Sequence, residues 1–319
     1  MLCYAFAVRF RNLRRREIFM FLSSYVSHGT VKRKSLISLY NTSREDLFEY
    51  IYRARDFKRK AKVGEKTPCL ADKYIALIVK NSYFRSRVAF QVSVESLGGK
   101  PLIIPLSGSD IEDALKDKDV VHNLRDYGVE AFIVDTLYIH DAETLEHYAH
   151  SPIINANAKV GPCHAIATLL TLWEKFGKLS GLRFTYIGDR TDFDNSILIG
   201  AAKCGINLNI VSPENCPPSQ KLVSYCRQFC NVELYTDKED GVRGSDIVFV
   251  AENDFGEDYV VDELDLAFAH KDAVLLHSFP LNRGKCITDD AVDCPQSLIF
   301  EQSANIIPTL EAVLSFIVL

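Results

Sequence analysis

Arg85, Ser86 and Arg87 stand where a short apolar run gives way to an amphipathic one. The run before them, Tyr74 to Val79, is a continuous apolar segment of the kind buried strands show. Val88, Phe90, Val92, Val94 and Leu97 follow, and Gly98-Gly99 stops the run as a helix terminus does. A strand feeding a helix through Arg-Ser-Arg aims backbone N–H groups and two guanidinium forks at one point. That arrangement holds a phosphate or a carboxylate. From these residues alone an exposed basic helix start is an equal alternative. The nine cysteines offer less. Cys226 and Cys230 lie one helical turn apart and Cys216 ten residues earlier, without a nearby histidine or second cysteine pair. No metal site is read there, and core or surface thiols are the default.

The elements that must position the basic turn alternate along the chain. A first helix is signalled by a capping-box pattern at Thr42-Ser-Arg-Glu45, with Leu47, Phe48, Ile51 and Ala54 on one face. Strands at 74–79, 101–105, 131–134 and 152–154 interleave with helices at 87–97, 118–127 and 142–149, while 107–119 reads as a loop or short helix. A long amphipathic helix, 163–176, begins at Pro162. Strands at 183–187, 207–211, 232–235, 246–250 and 273–277 then alternate with helices at 194–204 and 218–229, and a helix at 308–318 closes the chain. This alternation predicts an α/β protein of two doubly wound parallel-sheet domains, joined by interdomain helices and hinged near 163–176. The expected partition is a basic extension (1–34), a first domain (35–150, completed by 305–319) and a second domain (151–304).

Composition narrows the class. With 47% apolar and 25% charged residues in 319, the chain reads as an ordinary soluble globular enzyme. No apolar run approaches the roughly 20 residues that span a bilayer, so no membrane partner is expected. Residues 1–34 carry eight basic groups against one acid, Glu17, which leaves the remainder at a net −12 within a total of −5. So acidic a body argues against nucleic-acid binding. The basic leader has the composition of a transit peptide, and equally of a disordered arm or of sequence upstream of a start at Met20. An odd number of unpatterned cysteines points to a reducing compartment, and the expectation is cytoplasmic with organelle targeting as the alternative.

Several motifs, in order, resemble the aspartate/ornithine carbamoyltransferases, the ornithine branch most closely, over about residues 35–319. Lys34-Ser-Leu-Ile-Ser-Leu-Tyr40 is similar to the family's opening, and Tyr83-Phe-Arg-Ser-Arg87 sits where it has Ser-Thr-Arg-Thr-Arg. Asn155 through Gly161-Pro-Cys-His164 resembles the segment leading to His-Pro-Cys/Thr-Gln. Tyr186-Ile-Gly-Asp189 with Asn195-Ser196 resembles the second-domain strand and turn. Leu276-His-Ser-Phe-Pro280 with Arg283-Gly284 is similar to Leu-His-Cys-Leu-Pro…Arg-Gly, and Phe300-Glu-Gln…Asn305 to the segment before the last helix.

The resemblance implies transfer of a carbamoyl group from carbamoyl phosphate to the amine of ornithine or a related amino acid, within arginine metabolism. It also implies a cleft between the domains, a homotrimer and no cofactor. Carried over position by position, Arg85, Ser86 and Arg87 hold the phosphate or a similar anion. His164 and Ser278 serve the reacting carbamoyl group, and Asn195, Ser196 and Glu252 face the small amino acid or amine. Departures concentrate at the chemistry. Tyr83 and Phe84 replace two hydroxyl residues, Asp135 and Ile306 stand where the family has arginines, Gly161 replaces a histidine and Ser278 a cysteine. Ala251 takes an aspartate position, and the following lid is shorter by roughly a dozen residues. An alternative expectation is therefore a catalytically impaired member acting as a ligand-binding or regulatory subunit.

Overall fold

The computed structural model of the protein describes residues 35–78, 84–104, 118–134, 139–157, 161–189, 195–277 and 279–319. The chain divides into two units, Met1–Lys32 and Arg33–Leu319, and the described residues all belong to the second. The basic extension, Tyr83, Asp135 and Ser278 therefore lie outside the described residues.

The first sheet contains β1 (Ser35–Leu36), β2 (Tyr74–Ile78), β3 (Lys100–Ile103), β4 (Val129–Val134) and β5 (Ile153–Asn155) in the order β1-β5-β4-β2-β3, all parallel. Helices α1 (Arg44–Lys62), α2 (Phe84–Ser96), α3 (Lys118–Asp126) and α4 (Ile139–Ala149) connect and cover it. β5 pairs with β1 and β4, so this sheet extends past residue 150, where the sequence pattern placed the domain boundary. A three-residue strand carries too little pattern to reveal which sheet it joins.

After α5 (Pro162–Phe176), the second sheet runs β10-β9-β6-β7-β8, again all parallel. Its strands are β6 (Arg183–Ile187), β7 (Asn207–Val211), β8 (Val232–Tyr235), β9 (Ile247–Val250) and β10 (Val274–His277). Helices α6 (Ser196–Lys203) and α7 (Gln220–Cys226) follow the expected alternation, whereas the short α8 (Lys238–Val242), α9 (Glu263–Phe268), α10 (Asp289–Asp293) and α11 (Ile299–Ala304) were not foreseen. Segments of five or six residues are too short to show helical periodicity. α12 (Ile306–Ile317) closes the fold.

Parallel strands covered by helices on both faces must be apolar throughout, and Phe132, Ile133 and Val134 of β4, like Ile247 to Val250 of β9, are fully buried. The α1 cap falls one residue later than its sequence pattern. Ser43 accepts from the Asp46 N–H, while Thr42 donates to the Ser38 carbonyl. α12 returns across α1, α2 and α5, with the Phe316 ring edge-on to Tyr50 at 4.8 Å.

Strand order reverses direction between β2 and β4 in one sheet and between β6 and β9 in the other. In open parallel sheets ligands bind beyond the carboxyl ends of the strands at these points. β2 leads toward Arg85 and β9 toward Glu252.

One buried lysine binds the start of the chain to the second sheet's helices. Lys203 on α6 donates to the carbonyls of Leu39, Tyr40 and Thr42 at 2.6, 2.9 and 2.5 Å. Desolvation lowers its pKa, yet the three carbonyls give the ammonium all its partners. Lys203→Met removes the donor and strands the carbonyls. Urea unfolding is expected to show a loss of about 2–4 kcal/mol.

Candidate functional site

A cavity of ≈ 410 Å³ opens where the beginning of α2 meets the start of α5, the segment after β10 and the beginning of α12. Arg85, Ser86, His164, Phe279, Gln302 and Ile306 line it. Three of the residues singled out in the sequence, Arg85, Ser86 and His164, are thus brought together from the first sheet's α2 and from α5. Arg87, Asn195, Ser196 and Glu252 do not line this cavity.

Arg85 is exposed at the helix start, and its guanidinium carbon sits 4.4 Å from the centroid of the Phe279 ring. A guanidinium stacked on an aromatic face keeps its N–H edge available for a planar or tetrahedral anion. Ser86 is buried beneath it. The first turn of α2 contributes positive dipole as well as free N–H groups, and contains no acid to oppose an anion.

His164 occupies the first turn of α5, half-buried against the cavity. Desolvation lowers its pKa to about 4, so the ring is neutral near pH 7 and offers one N–H donor. Its neighbour Cys163 is buried and its thiol pushed up to about 12, which removes it as a nucleophile. Gly161 precedes them for steric reasons. A Cβ there would sit 2.3 Å from the Asn157 carbonyl oxygen. No other residue type fits unless Asn157 or Gly161 moves.

The second sheet's edge is ordered by His277, which the sequence pattern marked only as part of a motif. This buried ring donates through Nδ1 to the Val250 carbonyl at 2.6 Å, and its Nε2 finds no partner among the described residues. Burial lowers its pKa, partly opposed by the Val250 carbonyl. Glu252, half-buried, lies near enough to influence both His277 and Lys285 electrostatically.

Asn195 and Ser196 stand at the start of α6, with Asn195 as its N-cap. Asn195 Oδ1 accepts from the N–H groups of Ile197 and Leu198, its amide donates to the Tyr186 hydroxyl at 3.1 Å, and Ser196 Oγ accepts from the Leu39 N–H. Both are about 1% exposed. Arg283 is paired with Asp293 through two bonds at 2.7 and 2.8 Å and with Asp289 at 3.2 Å, all at the surface. Among the described residues no group of His, Cys, Asp and Glu is arranged to hold a metal ion.

The two parallel-sheet halves match a known pair of domains. Residues 34–174 match the carbamoyl-phosphate-binding domain of aspartate/ornithine carbamoyltransferases, and residues 180–317 the Asp/Orn-binding domain. The ornithine carbamoyltransferase of Halalkalibacterium halodurans is 30% identical over 90% of this chain and 95% of its own. The chain belongs to the aspartate/ornithine carbamoyltransferase family. The solved ornithine carbamoyltransferase of Pyrococcus furiosus is similar with a TM-score of 0.80 at 26% identity, covering 88% of this chain and 96% of that one. That of Gloeobacter violaceus is similar with a TM-score of 0.77 at 29% identity, covering 89% and 98%.

Much of the cavity wall is apolar. Ile306, Ile307 and Leu310 of α12 line the cavity together with Phe90 and Phe279. The N–H donors that remain on its wall come from α2, from His164 and from the Gln302 amide, which already donates to Thr168 Oγ1 at 2.8 Å.

The lowered His164 pKa makes stability depend on pH. The unfolded chain protonates this ring near the ordinary value of about 6.5, whereas the fold resists until about 4. Between those values the unfolded state binds more protons, so stability is full above 6.5 and falls as pH drops toward 4. Urea titrations from pH 7 to 4 should show this decline. His164→Gln should flatten it by up to about 1.4 kcal/mol per pH unit, with a residual slope from His277.

Proposed function

We propose that this protein transfers the carbamoyl group of carbamoyl phosphate to the amine of ornithine. The observation that carries the reading is the convergence of Arg85, Ser86 and His164 on one cavity at the switch point of a carbamoyl-phosphate-binding-type sheet. The phosphate lies at the start of α2, held by backbone N–H groups, Ser86 and the Arg85 fork, with Arg87 adding charge at that helix end. The acceptor nitrogen attacks the carbonyl carbon. The carbonyl π pair moves onto oxygen, returns, and expels phosphate with the C–O bonding pair, while the amine proton passes to phosphate or water.

Neutral His164 supplies the donor that stabilises the developing oxyanion, and Ser278, following His277, supplies a second polar group to the carbamoyl end. Glu252 at the end of β9 takes the acceptor's ammonium, and Asn195 with Ser196 fixes the neighbouring wall. No cofactor enters these steps.

The expected products from carbamoyl phosphate and ornithine are inorganic phosphate and the ureido amino acid. Arg85→Ala should lower kcat/KM by about 10²–10³-fold, read by phosphate release and colorimetric ureido assay. Phosphate binding without product, for ornithine and for other amines, would show a ligand-binding subunit and overturn the reading.

The same reading includes a homotrimer in a reducing, cytoplasmic setting. It is supported by an apolar stripe on α2, where Phe84, Val88 and Val92 are 60, 52 and 45% exposed at four-residue spacing. Leu102 and Ile103 add to it on the unpaired edge strand β3. The eight cysteines among the described residues are all free thiols. Light scattering should give three times 36.0 kDa, and Val92→Asp should shift the protein toward monomer while circular dichroism stays unchanged.

A further inference from the structure

A second cavity, of ≈ 450 Å³, lies at the C-terminal end of α2, the helix whose start lines the first one. The C-terminal ends of α1 and α2, the 63–68 turn and the middle of α12 enclose it. It shares no lining residue with the first cavity and has no part in the reaction above.

Its wall contains Glu311, 8% exposed. One carboxylate oxygen contacts the Ser96 hydroxyl at 2.5 Å. The other has no partner among the described residues. Ser96 is itself over-committed, because its one hydrogen faces both Glu311 and the Ser93 carbonyl at 2.9 Å. A buried carboxylate normally has a cation or several donors. Of the wall's two cations, Lys60 is paired with Asp56 at 3.0 Å, and Lys66 is exposed. Burial accordingly raises the Glu311 pKa, with Ser96 as its one opposing influence.

The rest of the wall suits an organic cation. Phe57 offers an aromatic surface, which already has Lys60 Nζ 5.9 Å from its centroid, and Glu95 and Glu65 add exposed carboxylates. The volume lies within the roughly 300–1,000 Å³ of small-molecule pockets and exceeds what a bare metal ion needs.

We propose that this cavity is a binding site for a small aliphatic ammonium or guanidinium compound, whose cationic head pairs with the open oxygen of Glu311 while its stem lies along Phe57. The head supplies the positive charge that the buried carboxylate lacks. Glu95 favours a second cationic group at the opening, so diamines and aminoalkyl guanidines are preferred over simple amines.

Calorimetric titration with putrescine and with agmatine tests this directly. One equivalent per chain should bind. Glu311→Gln, which keeps the shape and the Ser96 contact, should weaken binding at least tenfold, with carbamoyl transfer and melting temperature unchanged. Arg85→Ala, altered in the first cavity only, should bind the cation as the unmodified chain does. A crystal soaked in agmatine should show its guanidinium within hydrogen-bond distance of Glu311. Absence of binding, binding insensitive to Glu311→Gln, or binding lost with Arg85→Ala would each overturn the proposal. Because binding is measured without turnover, these results stand whether or not ornithine proves to be the acceptor.

Discussion

The cavity depends on the side chain of Gln302. Its amide donates to Thr168 Oγ1 at 2.8 Å, and its carbonyl oxygen accepts from the His277 N–H at 3.3 Å. Thr168 in turn donates to the His164 carbonyl. One buried amide therefore ties α11, α5 and the end of β10 together, and so sets where His164 stands relative to Phe279. Such a network earns its stability only when complete, since each group removed leaves another buried and unpaired. Asn305 repeats the device one helical turn along α5, bonding Thr171 and Glu174 at 2.9 Å each.

Around this tie the two sheets solve the same problem twice. Each is wholly parallel, so each offers its ligand-competent edge at a point where strand order reverses. The end of β6 and the end of β9 approach so closely that a Cβ at Gly188 would meet Ala251 Cβ at 2.6 Å. Ala251 is buried at this strand end and Glu252 follows it, half-buried. α12 then carries the chain back to the first sheet, and its apolar face does two jobs. It seals α1 against α2, and it presents Ile306 and Leu310 to the cavity.

Much of this was legible in the sequence, for identifiable reasons. The longer strands and helices announce themselves by periodicity, and the motifs fix their order. What escaped was short or cooperative. β5 has three residues, and its membership of the first sheet depends on pairing with β1 and β4, which no local pattern encodes. The helix cap moved from Thr42 to Ser43 because Thr42 has a competing carbonyl, that of Ser38. Of the candidate residues, Arg85, Ser86 and His164, which line one cavity, could be singled out because helix starts carry recognisable chemistry. Asn195 and Ser196 are harder, since the same amide that could meet a ligand also makes an ideal helix cap. The stacking of Arg85 on Phe279 joins residues nearly 200 positions apart and leaves no trace in composition or spacing.

Gly161 and Ile306 are both fixed by close packing. A Cβ at Gly161 would come within 2.3 Å of the Asn157 carbonyl oxygen. Ile306 is built into the apolar wall that packs against the core. On the proposed reading, a donor at either position would need its surroundings to shift as well, so replacing one residue alone would not supply it. The cavity keeps a helix start with the Arg85 guanidinium carbon 4.4 Å from the Phe279 ring centroid. His164, kept neutral by burial, lines the same cavity. In the proposed reaction, the apolar wall around His164 lowers the local dielectric, so a hydrogen bond from that ring to a developing oxyanion gains strength, while the exposed Arg85 meets the phosphate nearer solvent.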